Sequence, residues 1–200
     1  MNPEKIIKGL YEDFQLADKT IKELKNLLLT EEKAIYEEAV DVEGEAIHGI
    51  KELKNIHGIK ELKEACFHLI RWNLSKEEKD LYEAQGQVKQ AIYESSYFGM
   101  ELCLKQIEKF NKHYYLSKFI NSDYSKKRLE AQDIKKEYVK AIEQKRSLSR
   151  ESNKAFSKSK EILSYLRGLQ PDLNKDIILI AIPIVTVILA VITVIITLFK

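Results

Sequence analysis

From Ile177 to Phe199, 23 consecutive residues carry no charge and are mostly Ile, Val and Leu. Coiled into an α-helix at about 1.5 Å per residue, such a run reaches roughly 34 Å, enough for a hydrocarbon core about 30 Å thick. Insertion values of about −0.3 to −0.6 kcal/mol for each large apolar residue leave a surplus that Pro183, Thr186, Thr193 and Thr197 do not cancel. A buried core helix of the same composition would have to be surrounded on all sides, whereas the 176 residues before it carry amphipathic stripes. The expectation is one transmembrane helix over 177–199.

Met1 to Leu10 holds Glu4, Lys5 and Lys8 and no apolar run, so neither a signal peptide nor an earlier span is expected there. With only Lys200 beyond the hydrophobic run, the layout is that of a tail anchor, inserted after synthesis, with the N-terminal part cytoplasmic. Lys158, Lys160, Arg167 and Lys175 before the span, against Lys200 after it, agree with the positive-inside rule. In that reducing compartment Cys66 and Cys103 are expected as free thiols. Within the span Pro183, Thr186, Ala190, Thr193 and Thr197 follow at steps of three and four, a face of small or hydroxylated residues suited to self-association or a partner helix. Back-bonding of each Thr to its own helix is the competing use of the hydroxyls.

Three prolines and seven glycines are too few for a sandwich or barrel, and 32% charged with 44% hydrophobic residues suits long amphipathic helices. The fold class expected is all-α, an elongated helical bundle or set of helical hairpins over 1–170, a hinge at 171–176, then the span. Asn2, Pro3 and Glu4 form a helix start, and Ile7, Leu10, Phe14, Ala17, Ile21, Leu24 and Leu28 recur at helical spacing, predicting a helix over 3–29. Thr30 would cap a second, acidic helix. Ile47 to Lys54 and Ile56 to Lys63 both read IHGIKELK. A nine-residue period turns an α-helix by two and a half turns, so Gly49 and Gly58 are the expected break points. Ser75 and Glu78 match a capping box, opening a helix with Leu81, Ala84, Val88, Ile92, Ser95, Gly99 and Leu102 on one face. Asn121, Ser122 and Asp123 end it. A further helix from Tyr124 to Arg167 has Tyr138, Ala141, Lys145, Leu148, Ser152, Ala155, Ser159, Ile162, Leu166 and Leu169 at heptad steps, and Gly168 and Pro171 are expected to stop it.

The formal charge of +2 is divided unevenly: −4 over residues 1–75, −1 over 76–123 and +7 over 124–200. An anionic leaflet attracts each Lys or Arg near it by about 1 kcal/mol, which makes Lys154, Lys158, Lys160, Arg167 and Lys175 candidate lipid contacts. Packing of this basic helix on the acidic second helix would use the same charges. With 28 Lys to 5 Arg, a nucleic-acid reader built on bidentate arginine contacts is disfavoured.

Candidate chemistry is sparse. Glu45 and His48 form one E-x-x-H, but a di-iron bundle needs a second such pair and two more glutamates, and His57, His68 and His113 each lack an acid three positions earlier. Cys66 and His68 have no C-x-x-C to complete a zinc site. Nucleophile-elbow, Walker and dinucleotide signatures are missing, so no enzyme, cofactor or small-molecule substrate is expected. Tyr82, Tyr93, Tyr97, Tyr114, Tyr115 and Tyr124 crowd the middle helix, either as interface or as interior packing.

These features predict a single-pass membrane protein presenting a helical interaction surface as a scaffold, tether or recruitment adaptor, with lipids and a protein partner or second copy as its contacts. The stripe from Ile7 to Leu28 and the helix from Tyr124 to Leu169 are the candidates for partner contact, with their packing inside the monomer competing. The layout of N-terminal helices, a membrane-proximal heptad helix and a tail anchor resembles that of SNARE membrane-fusion proteins. Because the heptad helix lacks a run of apolar layers around a central Gln or Arg, the resemblance transfers no functional residue. A pore-forming toxin or lysis protein is a third class, for which one span with so few polar residues makes a poor water channel.

Overall fold

The computed structural model describes residues 3–38, 58–119, 121–144 and 147–198. Five α-helices account for nearly all of them: α1 (Pro3–Glu38), α2 (Ile59–Ser75), α3 (Glu78–His113), α4 (Ser122–Glu143) and α5 (Leu148–Leu198), with a 3₁₀ turn at Tyr115–Phe119. No strand occurs among the described residues. The chain divides into two compact units. Unit 1 comprises Met1–Leu102 and Lys136–Lys158, and unit 2 comprises Cys103–Lys135 and Ser159–Lys200.

In unit 1 the faces written at steps of three and four are the buried ones. Ile6, Leu10 and Ala17 of α1, Ala65 of α2 and Leu81, Ala84, Val88, Ala91 and Ile92 of α3 form one cluster, with Phe14, Leu16, Leu62, Leu69 and Trp72 packed against it. Small residues at Ala17, Ala65, Ala84 and Ala91 let the helices approach closely while Leu and Ile fill the space between. Further along, Thr20 donates to its own Leu16 carbonyl at 2.8 Å and to Asn153 Oδ1 on α5 at 3.3 Å, and buried Phe156 of α5 lies against Gly99 of α3.

Several expected boundaries differ. α1 does not stop at residue 29 and Thr30 is not a cap: its hydroxyl bonds the Asn26 carbonyl one turn back, and the backbone stays helical to Glu38. No Gly or Pro intervenes there to stop a helix that is already nucleated. The rest of the acidic helix, the first copy of the repeat, Gly49, His57 and the Glu45–His48 pair lie outside the described residues. Gly58 does break the chain, with φ 94°, and Leu62 N–H closes the first turn of α2 on its carbonyl at 3.1 Å.

The capping box at Ser75 does not form. Ser75 belongs to the last turn of α2, where its hydroxyl donates to Arg71 O at 3.1 Å and accepts from Glu77 N–H at 3.2 Å. Lys76, at φ 58°, ends α2 in the left-handed conformation, its N–H bonding Trp72 O at 2.7 Å and its ammonium 4.8 Å from the Trp72 ring. Because α3 begins at Glu78, Ser75 lies too far back to occupy its N-cap position.

The expected single helix from Tyr124 to Arg167 is two, α4 ending at Glu143 and α5 beginning at Leu148. Ser147 begins α5 by accepting the Glu151 N–H at 3.0 Å. The heptad seam survives the division: Tyr138, Ala141, Ser152, Ala155, Ser159, Ile162 and Leu166 are all buried, while Leu148 is exposed and Lys145 lies outside the described residues.

In unit 2, α3 ends at His113, earlier than the expected end at 121–123, and Asn121 instead caps α4 by accepting the Tyr124 N–H at 3.0 Å. Tyr124 is fully buried, its hydroxyl donating to Asn111 Oδ1 at 3.0 Å and its ring meeting Phe110, which in turn contacts Tyr114 at 4.5 Å between centroids. Ile107, Ile134, Ile162, Leu163, Leu166 and Leu173 complete the interior.

Gly168 and Pro171 do not end the helix, and the expected break at 171–176 is absent from the backbone: α5 runs through both. Pro171 removes one N–H from the helical ladder. The axis is held on either side, by fully buried Leu166 before it and Leu173 after it, and by the hydroxyl of Tyr114, which donates to Asn174 Oδ1 at 2.8 Å.

Candidate functional site

α5 is long and apolar enough to cross a membrane. Its last buried residue is Leu173, and beyond it the described side chains change character. Ile178, Leu179, Ile182, Ile184, Val185, Val187, Ile188, Leu189 and Ile192 are all exposed, each by 46% or more, on every side of the helix. A core helix of this composition would be covered by its own protein, and this one is covered over only 6% of its most apolar window. Leaving so many branched side chains in water forfeits about 1.5–3 kcal/mol apiece.

On the small-residue face Pro183, Thr186 and Ala190 are exposed, and the side chains of Thr193 and Thr197 lie outside the described residues. The Thr186 hydroxyl donates to Ile182 O at 2.8 Å, so its polarity is spent inside the helix. Pro183 deprives the Leu179 carbonyl of its helical donor. What this face offers a neighbour is therefore low bulk, with hydrogen bonding at Thr186 already used.

Of the candidate lipid contacts, Lys154 is exposed. Lys158 bonds Glu137 of α4 at 3.0 Å, Lys175 bonds Asp172 one turn away at 3.3 Å, and Arg167 donates to Gln106 Oε1 on α3 at 2.6 Å. Lys160 is half-buried. The sequence pattern thus scatters its cations: they do not form a single basic face, and Lys158, Arg167 and Lys175 are among those already bonded within the protein.

The stripe expected to contact a partner is largely consumed inside unit 1. Leu10, Ala17, Ile21, Leu24 and Leu28 are buried and Phe14 is half-buried against the same core, while Ile7 is exposed and its neighbour Ile6 takes the interior place. A second stripe, missed in the sequence, is open instead. On α2, Phe67, Ile70 and Leu74 are exposed by 58%, 61% and 80% and lie at steps of three and four. They are offset by about 200° from Ala65, Leu69 and Trp72, which face the core. Two apolar faces on one 17-residue helix were the available signal.

At the corner between α2 and α3 the Asp80 carboxylate is buried, its Oδ1 3.3 Å from His68 Nδ1 and 3.5 Å from Arg71 Nε. This ties the ends of the two helices together at the first turn of α3, where a carboxylate also complements the helix dipole. The tyrosines divide between interior and surface. Tyr114 and Tyr124 are interior, and Tyr82, Tyr97 and Tyr115 are exposed. Tyr93, Tyr97 and Tyr138 stack in sequence with centroids 6.0 and 5.9 Å apart, and burial beside Tyr93, Tyr97 and Glu101 pushes the Tyr138 phenol up to about 12.

Among the described residues no three His, Cys, Asp or Glu side chains gather where they could hold a metal ion. Cys66 is exposed and Cys103 buried, and they are not bonded to each other. No protein-family model, curated protein or solved structure matches this chain.

Proposed function

We propose that this chain is a tail-anchored, single-pass membrane protein, its helical bundle on the cytoplasmic side serving as a scaffold, tether or recruitment adaptor. The observation that carries the reading is the uncovered apolar length of α5 beyond Leu173, whose exposed side chains need lipid as solvent. Confinement to a surface raises the effective concentration of whatever the helical part binds, so a stripe of modest affinity suffices to recruit. The exposed face of Phe67, Ile70 and Leu74 is the candidate recruiting surface in place of the buried stripe of α1. Aromatic and aliphatic anchors of this kind dominate helix-in-groove recognition.

Membrane flotation after alkaline carbonate extraction tests the anchor. The full chain is expected to float with the membranes, and Val185→Arg with Ile188→Arg, at about 2.5–3.5 kcal/mol each at the helix centre, is expected to release it. A wild-type chain that stays in the soluble fraction refutes the anchor. Protease protection of the sealed membranes tests the orientation. Proximity labelling from the helical part, compared with Phe67→Ser and Ile70→Ser, then tests recruitment: an unchanged set of neighbours removes α2 as the contact surface.

A further inference from the structure

We propose that the turn joining α3 to α4, with exposed Tyr115 and the half-buried Lys118 and Arg128 beside it, rests on the membrane that α5 enters and binds the phosphates of anionic lipid headgroups. The inference rests on the membrane reading of α5 and adds a second, extramembrane contact to it. Three observations within unit 2 meet at this turn.

The first is its level along α5. Tyr114, which opens the turn, bonds Asn174, and among the described residues Leu173 is the last fully buried side chain of α5, with Ile177 half-buried. The uncharged run begins at Ile177, three residues further, or about 4.5 Å along the axis. The polar layer on each side of a bilayer is about 5–7 Å deep, so the turn falls within it when Ile177 marks the hydrocarbon edge. A tilt of about 20°, acting on an element roughly 10 Å from the α5 axis, moves it by only about 3 Å.

The second is charge. From Lys112 to Arg128 there are five basic residues, Lys112, Lys118, Lys126, Lys127 and Arg128, and one acidic residue, Asp123. Lys112 and Lys127 bond Glu108 and Glu130 on their own helices at 3.1 and 2.8 Å, and the Lys127 ammonium lies 5.4 Å from the Tyr165 ring, about 18 Å of helix before Ile177, so the charge at the turn itself is that of Lys118 and Arg128, which bracket Tyr115.

The third is the arrangement around Tyr115. Its ring is 51% exposed, with the Lys118 ammonium 3.5 Å from the ring centroid and the Arg128 guanidinium carbon 5.7 Å from it. The Lys118 hydrogen bond and charge hold the Tyr115 phenol below its ordinary range. An amphipathic ring bracketed by two cations suits the headgroup layer, where the ring meets glycerol and upper acyl carbons while the cations meet phosphate. Anionic lipid is the occupant with the complementary charge at that depth.

The test uses the full chain reconstituted into vesicles of phosphatidylcholine alone or of equal parts phosphatidylcholine and phosphatidylserine. Trp72→Phe removes the one native indole, and a new one is placed at the turn by Tyr115→Trp or in the span by Leu189→Trp. Quenching by headgroup-spin-labelled lipid is expected at position 115, and quenching by acyl-chain-brominated lipid at position 189. Energy transfer from position 115 to dansyl-labelled phosphatidylserine is expected to exceed that to dansyl-labelled phosphatidylcholine. Lys118→Gln and Arg128→Gln are each expected to lower this preference about fivefold, and together about thirtyfold.

Quenching at 189 without quenching at 115 overturns the proposal and leaves the anchored reading standing. Absence of both overturns the two together. Quenching at 115 with equal transfer to the two lipids, unchanged by the Gln variants, refutes anionic-headgroup binding.

Discussion

Gly99 is the position where the packing of unit 1 makes its sharpest demand. A Cβ there would lie 2.6, 2.7 and 2.9 Å from Cε2, Cζ and Cδ2 of Phe156, where about 3.5–4.0 Å is comfortable. Phe156 is fully buried, so its ring can yield only by displacing neighbours. Overpacking of this kind costs about 1–3 kcal/mol, while replacing a mid-helix glycine by alanine returns about 1 kcal/mol of helix propensity. Gly99→Ala is therefore expected to destabilise by about 1 kcal/mol on balance, a fall in melting temperature of about 2–4 °C for a chain of this size. In a Phe156→Leu background the shorter side chain vacates the site of the clash, and the same substitution is expected to stabilise by about 1 kcal/mol. Urea unfolding of the full chain in mild detergent, followed by the fluorescence of Trp72 against the unit 1 core, measures all four corners of the cycle. A Gly99→Ala effect of the same sign and size in both backgrounds would refute the close approach of α3 and α5.

Gly58→Ala meets two penalties, a φ of 94° and a Cβ placed 2.7 Å from the Ala91 carbonyl oxygen, and is expected to cost about 2–4 kcal/mol in the same unfolding assay; no loss would mean that α2 does not start against α3. Tyr138 carries a folded-state pKa raised from 10.0 to about 12, so it contributes stability below pH 10 that is lost as pH rises through about 12. The stability difference between the wild type and Tyr138→Phe is expected to shrink across that window, and a difference independent of pH would contradict burial of the phenol.

Periodicity was legible along the chain because it is a property of each helix alone. The seven positions of α3 from Leu81 to Leu102 read as one face are buried, as are the seam positions Ser152, Ala155, Ser159, Ile162 and Leu166 of α5. Helix ends were less legible. Thr30, Ser75 and Pro171 each carry a residue type that favours a boundary, and each lies within a helix. A cap is worth about 1 kcal/mol and is overridden by packing on either side, as at Pro171 between Leu166 and Leu173, or by lack of anything to halt the helix, as at Thr30. The break between α4 and α5 was hidden for the converse reason, since the heptad spacing continues from one helix into the next although Gln144 and Ser147 are not helical.

By itself the sequence determined that the chain is helical and that 177–199 holds a segment apolar enough for a bilayer, because both follow from side-chain order along one axis. Tertiary structure decided which apolar stripe is spent and which is left open. The α1 face from Leu10 to Leu28 is buried against other helices, and Phe67, Ile70 and Leu74 of α2 are not. It also brought Tyr114 to Asn174, sixty residues apart, and so set the α3–α4 turn beside the start of the apolar run. Burial is a relation between elements, and no periodicity within one helix can say which neighbour will cover it.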